Sequence, residues 1–177
     1  MESKAKLFGH PIHQMLIVFP LGLLATSVIF DIIYLGTGNG YWAGISYWMM
    51  AAGLIGGLVA AVFGLIDWLA IPEKTRAKSI GAVHGLGNLL VVLLFAGSWW
   101  LRTDNPNNPQ TLPLVLSFSG CVLSSVTAWL GGELVVRLGV GVDRGANLNA
   151  PNSIAHPSPM KTTSYNQEKT PPTRHAA

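Results

Sequence analysis

Between Asp31 and Asp67 the chain carries no charged residue at all, and the apolar segments on either side of this run are nearly as long. A helix of about 20 apolar residues crosses the hydrocarbon core of a bilayer, and it satisfies its own backbone hydrogen bonds there. Four such segments occur, roughly at 11–35, 42–71, 79–101 and 112–138. The charges collect in short islands between them. Of the 177 residues, 50% are hydrophobic and 11% charged, against about 25% charged in ordinary soluble domains. The expected fold is all-α: an integral membrane four-helix bundle with a disordered C-terminal tail. Residues 1–9 form a basic N-terminal lead, 10–142 the four-helix transmembrane domain, and 143–177 a polar tail. That tail is rich in Asn, Pro, Ser and Thr and has too little apolar surface to pack a core.

The Lys and Arg residues set an expected orientation. Lys4 and Lys6 precede the first helix, Lys74, Arg76 and Lys78 follow the second, and Arg137 and Arg144 follow the fourth. The loop after the first helix has no cation and the loop after the third has only Arg102. Positive-inside counting therefore puts both termini in the cytoplasm, as an even number of helices also requires. Lys4 and Lys6 ahead of an apolar run resemble the start of a signal peptide. The run is too long, contains Pro20 and lacks an Ala-x-Ala site, so the first helix is expected to stay.

Several function classes fall away. No basic stripe with interleaved aromatics appears, so no nucleic-acid partner is expected. No phosphate-binding glycine loop, Rossmann pattern or nucleophile–base arrangement appears either. The single cysteine, Cys121, lies in an apolar run and reads as a small packing residue. Tyr41, Trp42, Tyr47, Trp48, Trp99 and Trp100 gather at the outer helix ends, as interfacial aromatics do. Gly53 and Gly57, and again Gly81 and Gly85, have the four-residue spacing that lets membrane helices approach closely.

The polar residues within the helices carry whatever chemistry there is. His10 and His13 stand at the start of the first helix, with Pro11 between them favouring a helix start. Asp67 ends the second helix, His84 and Asn88 lie in the inner half of the third, and Glu133 and Arg137 end the fourth. Every helix thus brings a polar group to the same side. His84 and Asn88 share a face flanked by Gly81 and Gly85, which directs His84 into the bundle. His13 shares a stripe with Pro20, Leu24, Ser27 and Asp31, but Asp31 lies about 27 Å further along the helix and belongs to the other side.

Three uses fit. A b-type haem takes two axial imidazoles from facing helices, and His13 or His10 with His84 supplies them. A transition-metal site takes three or four ligands, which His10, His13, His84, Asp67 and Glu133 offer. In the third, the cluster only locks the bundle: His10 caps a helix, His84 bonds Asp67 or a carbonyl, Asp67 pairs with Arg76, and Glu133 with Arg137. A proton path fits less well, since titratable groups gather only at the inner end.

Three motifs extend this reading: Gly9-His10-Pro11-Ile12-His13 with Phe19-Pro20-Leu21-Gly22; Gly64-Leu65-Ile66-Asp67-Trp68-Leu69-Ala70-Ile71-Pro72 with Thr75-Arg76-Ala77, Gly81, His84 and Asn88; and Gly131-Gly132-Glu133-Leu134-Val135 with Gly139-Val140-Gly141-Val142. Together, over roughly residues 7–142, they resemble the bacterial membrane family catalogued as domain of unknown function number 2231. The resemblance implies a four-helix membrane domain, and redox company through relatives joined to Rieske or cytochrome-like domains. Relatives often have a Pro after the second histidine and a Tyr and a His near the end of the fourth helix. Gln14, Val136 and Leu138 stand there in this chain, which depletes any site that used that histidine. The expected role is a small redox or electron-transfer subunit of a bacterial inner or other energy-transducing membrane, in contact with lipid and with a redox partner protein. A transition-metal binding or transport module and a cofactor-free structural or assembly subunit are the alternatives.

Overall fold

The computed structural model describes residues 1–154; the remainder of the expected tail lies outside the described residues. Four helices are long and apolar enough to cross a membrane: a first span at Ile12–Thr37, a second at Gly40–Leu69, a third at Arg76–Trp100 and a fourth at Thr111–Arg137. Their large apolar side chains point outward. Ile55, Leu58, Val62, Leu86, Leu93 and Val122 are all exposed, which is costly in water and expected against lipid. The interior holds Leu24, Val28, Met50, Leu54, Val91 and Phe95, together with the small polar side chains of Ser27, Ser46, Ser98 and Ser117.

Local chemistry explains the boundaries. The first span breaks at Ile17, because Pro20 has no N–H to give to the carbonyl one turn before it. It ends at Gly38, which takes φ +66 and returns its N–H to Tyr34, the left-handed C-terminal cap that glycine favours. Asn39 then caps the second span by accepting from the Tyr41 N–H, and Thr75 caps the third by accepting from the Lys78 N–H. The fourth span closes in a π-turn over Glu133–Arg137.

The first span packs chiefly on the second and the third on the fourth, so the bundle is two antiparallel helical hairpins laid together. Close approach depends on glycine. A Cβ on Gly53 would meet Leu24 at 2.7 Å, and one on Gly120 would meet Phe95 at 2.8 Å. Gly57 faces Pro20 and Val92, and Gly81 faces the Trp68 ring. Gly85 has nothing within 4 Å and is exposed. The expected Gly81–Gly85 contact face is therefore only half present.

The lead is not a loose extension. Strands β1 (Lys6–Leu7) and β2 (His10–Pro11) pair antiparallel around Phe8 and Gly9, both at positive φ, as a two-residue hairpin turn of matching twist requires. Residues 143–154 form turns, and Ser153 reaches His10 at 3.2 Å.

Candidate functional site

The two ends of the bundle carry different chemistry. At one end, the histidine end, His13 and His84 meet with ring centroids 6.5 Å apart and planes at 89°. Each is positioned by the neighbouring helix in the same way. His13 Nδ1 lies 2.8 Å from the Ala60 carbonyl, and its ring covers Gly64, one turn further on, where a Cβ would meet Cε1 at 2.8 Å. His84 Nδ1 lies 2.9 Å from the Thr127 carbonyl, and its ring covers Gly131, where a Cβ would meet Cε1 at 3.2 Å. A carbonyl only accepts, so Nδ1 is the protonated nitrogen in both rings and Nε2 keeps its lone pair.

Asn88 flanks this pair. Its amide nitrogen donates to the His84 carbonyl at 2.9 Å and its Oδ1 accepts from the Thr127 hydroxyl at 3.1 Å. That nitrogen is also 3.4 Å from His84 Nδ1 and 3.3 Å from Nε2. A group equidistant from both ring nitrogens lies on neither lone-pair axis, so the imidazole edge stays available.

The other residues singled out in the sequence have separate partners. The Asp67 carboxylate accepts from the Ser3 hydroxyl at 2.8 Å and from the Lys4 and Ala5 N–H groups at 2.7 and 3.3 Å. It latches the lead one turn below Gly64 and does not pair with Arg76. Arg76 binds Glu133 instead, at 2.7 Å, which leaves Arg137 outside the pair expected for it. His10 is exposed, in β2. In the lead, the Lys6 ammonium donates to Glu2 at 2.7 Å and holds that carboxyl below its ordinary range. Among the described residues, no group of three or more His, Cys, Asp or Glu side chains is placed to hold a metal ion.

At the far end, the arginine end, Arg102 lies in the loop just past the third span, as expected, but its side chain turns back toward the bundle. Its guanidinium enters the bundle and grips Asp31 with two bonds, Nη1 to Oδ1 at 2.7 Å and Nη2 to Oδ2 at 2.8 Å. Both side chains are fully buried. Ser117 adds a bond to Asp31 at 2.9 Å, and Ser46 and the Pro113 carbonyl lie around the guanidinium. The Arg102 Nε and the Trp99 indole nitrogen are buried without a partner among the described residues. A sequence signal for this pair existed: Asp31 is a lone carboxylate in an apolar helix, and Arg102 is the only Lys or Arg in either loop at that end.

The model of one family, described as a predicted membrane protein (DUF2231), matches residues 9–144. The chain belongs to this family. No curated protein and no solved structure matches it. The match takes in both members of the histidine pair, both glycines beneath them and the Asp31–Arg102 pair.

Proposed function

We propose that this member of the family is a small redox subunit that holds a b-type haem between His13 and His84, with an electron-transfer partner docking at the histidine end. One observation carries the reading: two imidazoles from separate hairpins, 6.5 Å apart, each with Nδ1 bonded to a backbone carbonyl. Two imidazoles on opposite sides of one metal atom, each with nitrogen about 2.0–2.1 Å from it, have centroids roughly 6 Å apart. A carbonyl on the far nitrogen is the usual support of a metal-bound histidine, because it fixes tautomer and ring direction and makes the bound nitrogen more basic.

When bound, haem supplies a one-electron couple. The chain's part is to orient. The Ala60 and Thr127 carbonyls aim the two rings, and Gly64 and Gly131 give each a flat floor. Asn88 and Thr127 tie the third and fourth spans together beside His84. The donor set also favours haem over a bare transition-metal ion. A bare ion wants three or four protein ligands, and Asp67 and Glu133 are engaged elsewhere; a macrocycle needs only two axial groups.

Purified protein is expected to show a Soret band that His13→Ala and His84→Ala each remove and His10→Ala retains. A stoichiometric metal without a Soret band would favour the metal-ion module. Neither signal, from cells supplied with haem, would leave the pair as a structural lock.

A further inference from the structure

The two hairpins repeat one another position by position. His84 follows His13 by 71 residues (84 minus 13), and Arg102 follows Asp31 by the same 71 (102 minus 31). Leu23 and Leu24 correspond in this way to Leu94 and Phe95, and Ser27 to Ser98. Between the second and fourth spans the interval is 67, so that Gly53, Ala60 and Gly64 correspond to Gly120, Thr127 and Gly131. The contacts correspond as well as the numbers. Gly53 is crossed by Leu24 and Leu23, and Gly120 by Phe95 and Leu94. His13 bonds the Ala60 carbonyl above Gly64, and His84 bonds the Thr127 carbonyl above Gly131. Ser27 and Ser98 are both fully buried. The change of interval from 71 to 67 falls between these two sets: Gly53 follows Asp31 by 22 residues (53 minus 31) and Gly120 follows Arg102 by 18 (120 minus 102).

We infer that the chain is a duplicated helical hairpin whose halves pair about a pseudo-twofold axis through both ends of the bundle. In such a pairing a residue on the axis faces its own counterpart, and elsewhere residue i meets j as j's counterpart meets i's. The two histidines do so at one end, which makes their site symmetric: each hairpin offers one imidazole to a ligand on the axis. At the other end the counterparts are Asp31 and Arg102, and here the symmetry is broken in charge and in the shell around it, where Ser46 answers to Pro113 and Met50 to Ser117. A first hairpin paired with another first hairpin would bury Asp31 against Asp31. A second paired with a second would bury Arg102 against Arg102. Only first with second is neutral, so this ion pair is the code that favours the pairing of unlike hairpins, in which His13 meets His84, over a pairing of like hairpins from two chains. The ligand's chemical nature rests on the proposed function; the duplication and the pairing code do not.

The test is a charge swap in the full chain. Asp31→Arg and Arg102→Asp each bury two like charges and are expected to cut the yield of monodisperse, detergent-purified protein about tenfold or more. Because the axis exchanges the two positions, the double variant is expected to recover about half of the wild-type yield or better. A double variant no better than either single, or singles that fold normally, would overturn the inference. Gly53→Ala and Gly120→Ala give a milder second test. Equivalence predicts unfolding temperatures lowered alike, within about 2 °C; one silent and one severe would contradict it.

Discussion

The arginine end and the histidine end are built from counterpart residues of the same two hairpins, yet they solve opposite problems. At the arginine end two full charges are taken out of solvent and matched by a bidentate grip, with Ser117 adding a bond to the carboxylate. Nothing in that arrangement is left over for a ligand except two N–H groups. At the histidine end the rings are half-buried and neutral partners hold only Nδ1, which leaves one lone pair on each ring. The lesson is that burial of charge marks the lock and a spare lone pair marks the site. An intramembrane ionisable pair would by default be taken as the functional centre, but here its completeness argues for structure.

Breaking the lock should have the largest effect. Arg102→Ala strands a buried carboxylate and should destabilise the protein by about 3–5 kcal/mol, read as a fall in unfolding temperature in detergent or nanodiscs. Asp31→Leu with Arg102→Met should recover most of that loss, since a buried pair replaced by apolar groups of similar volume is often nearly neutral. A double variant as unstable as the single would show that the pair contributes net stability beyond neutralisation.

Effects at the histidine end should be smaller and more local. Gly64→Ala drives a methyl into the His13 ring and should cost on the order of 1–3 kcal/mol, whereas Gly85→Ala, on an open face, should be neutral or stabilising by up to about 1 kcal/mol. Equal effects would mean that the His13 ring is free to move off Gly64. Thr127→Val removes the hydroxyl bond to Asn88 and should cost about 1 kcal/mol. Smallest of all, Arg76→Ala removes an ion pair whose arginine is 62% exposed, worth about 0–1 kcal/mol.

The sequence and the structure agree where a single physical signal dominates. Four apolar runs give four spans, and boundaries move by only a few residues where Asn39 and Thr75 cap earlier than hydropathy alone suggests. The nearness of His13 and His84 follows from their equal depth on helices with small-residue faces. The features that are not legible in the sequence depend on a partner distant along it. Arg102 lies in the loop that hydropathy assigns to it, and what hydropathy does not show is a long side chain turning back to Asp31, 71 residues earlier. Asp67 gave no hint of the lead, because two of its donors are backbone N–H groups that any residue at 4 and 5 would supply. Gly64 and Gly131 belong to the second and third motifs, where the sequence shows no task for them; in the structure a histidine ring lies on each. The duplication was hidden because few of the counterparts are identical. Histidine, serine and glycine repeat, while Leu24 answers to Phe95, Ala60 to Thr127 and Asp31 to Arg102.

The most direct test sets both ends against one readout. Absorption spectra would be recorded for the wild-type protein, for His13→Ala, for His84→Ala and for the Asp31→Leu/Arg102→Met double variant, all expressed with added haem. The expected result is a Soret band in the wild type and in the arginine-end double variant, absent from both histidine variants. A band that survives both histidine substitutions, or a wild-type protein with none, would contradict the assignment of the site to His13 and His84.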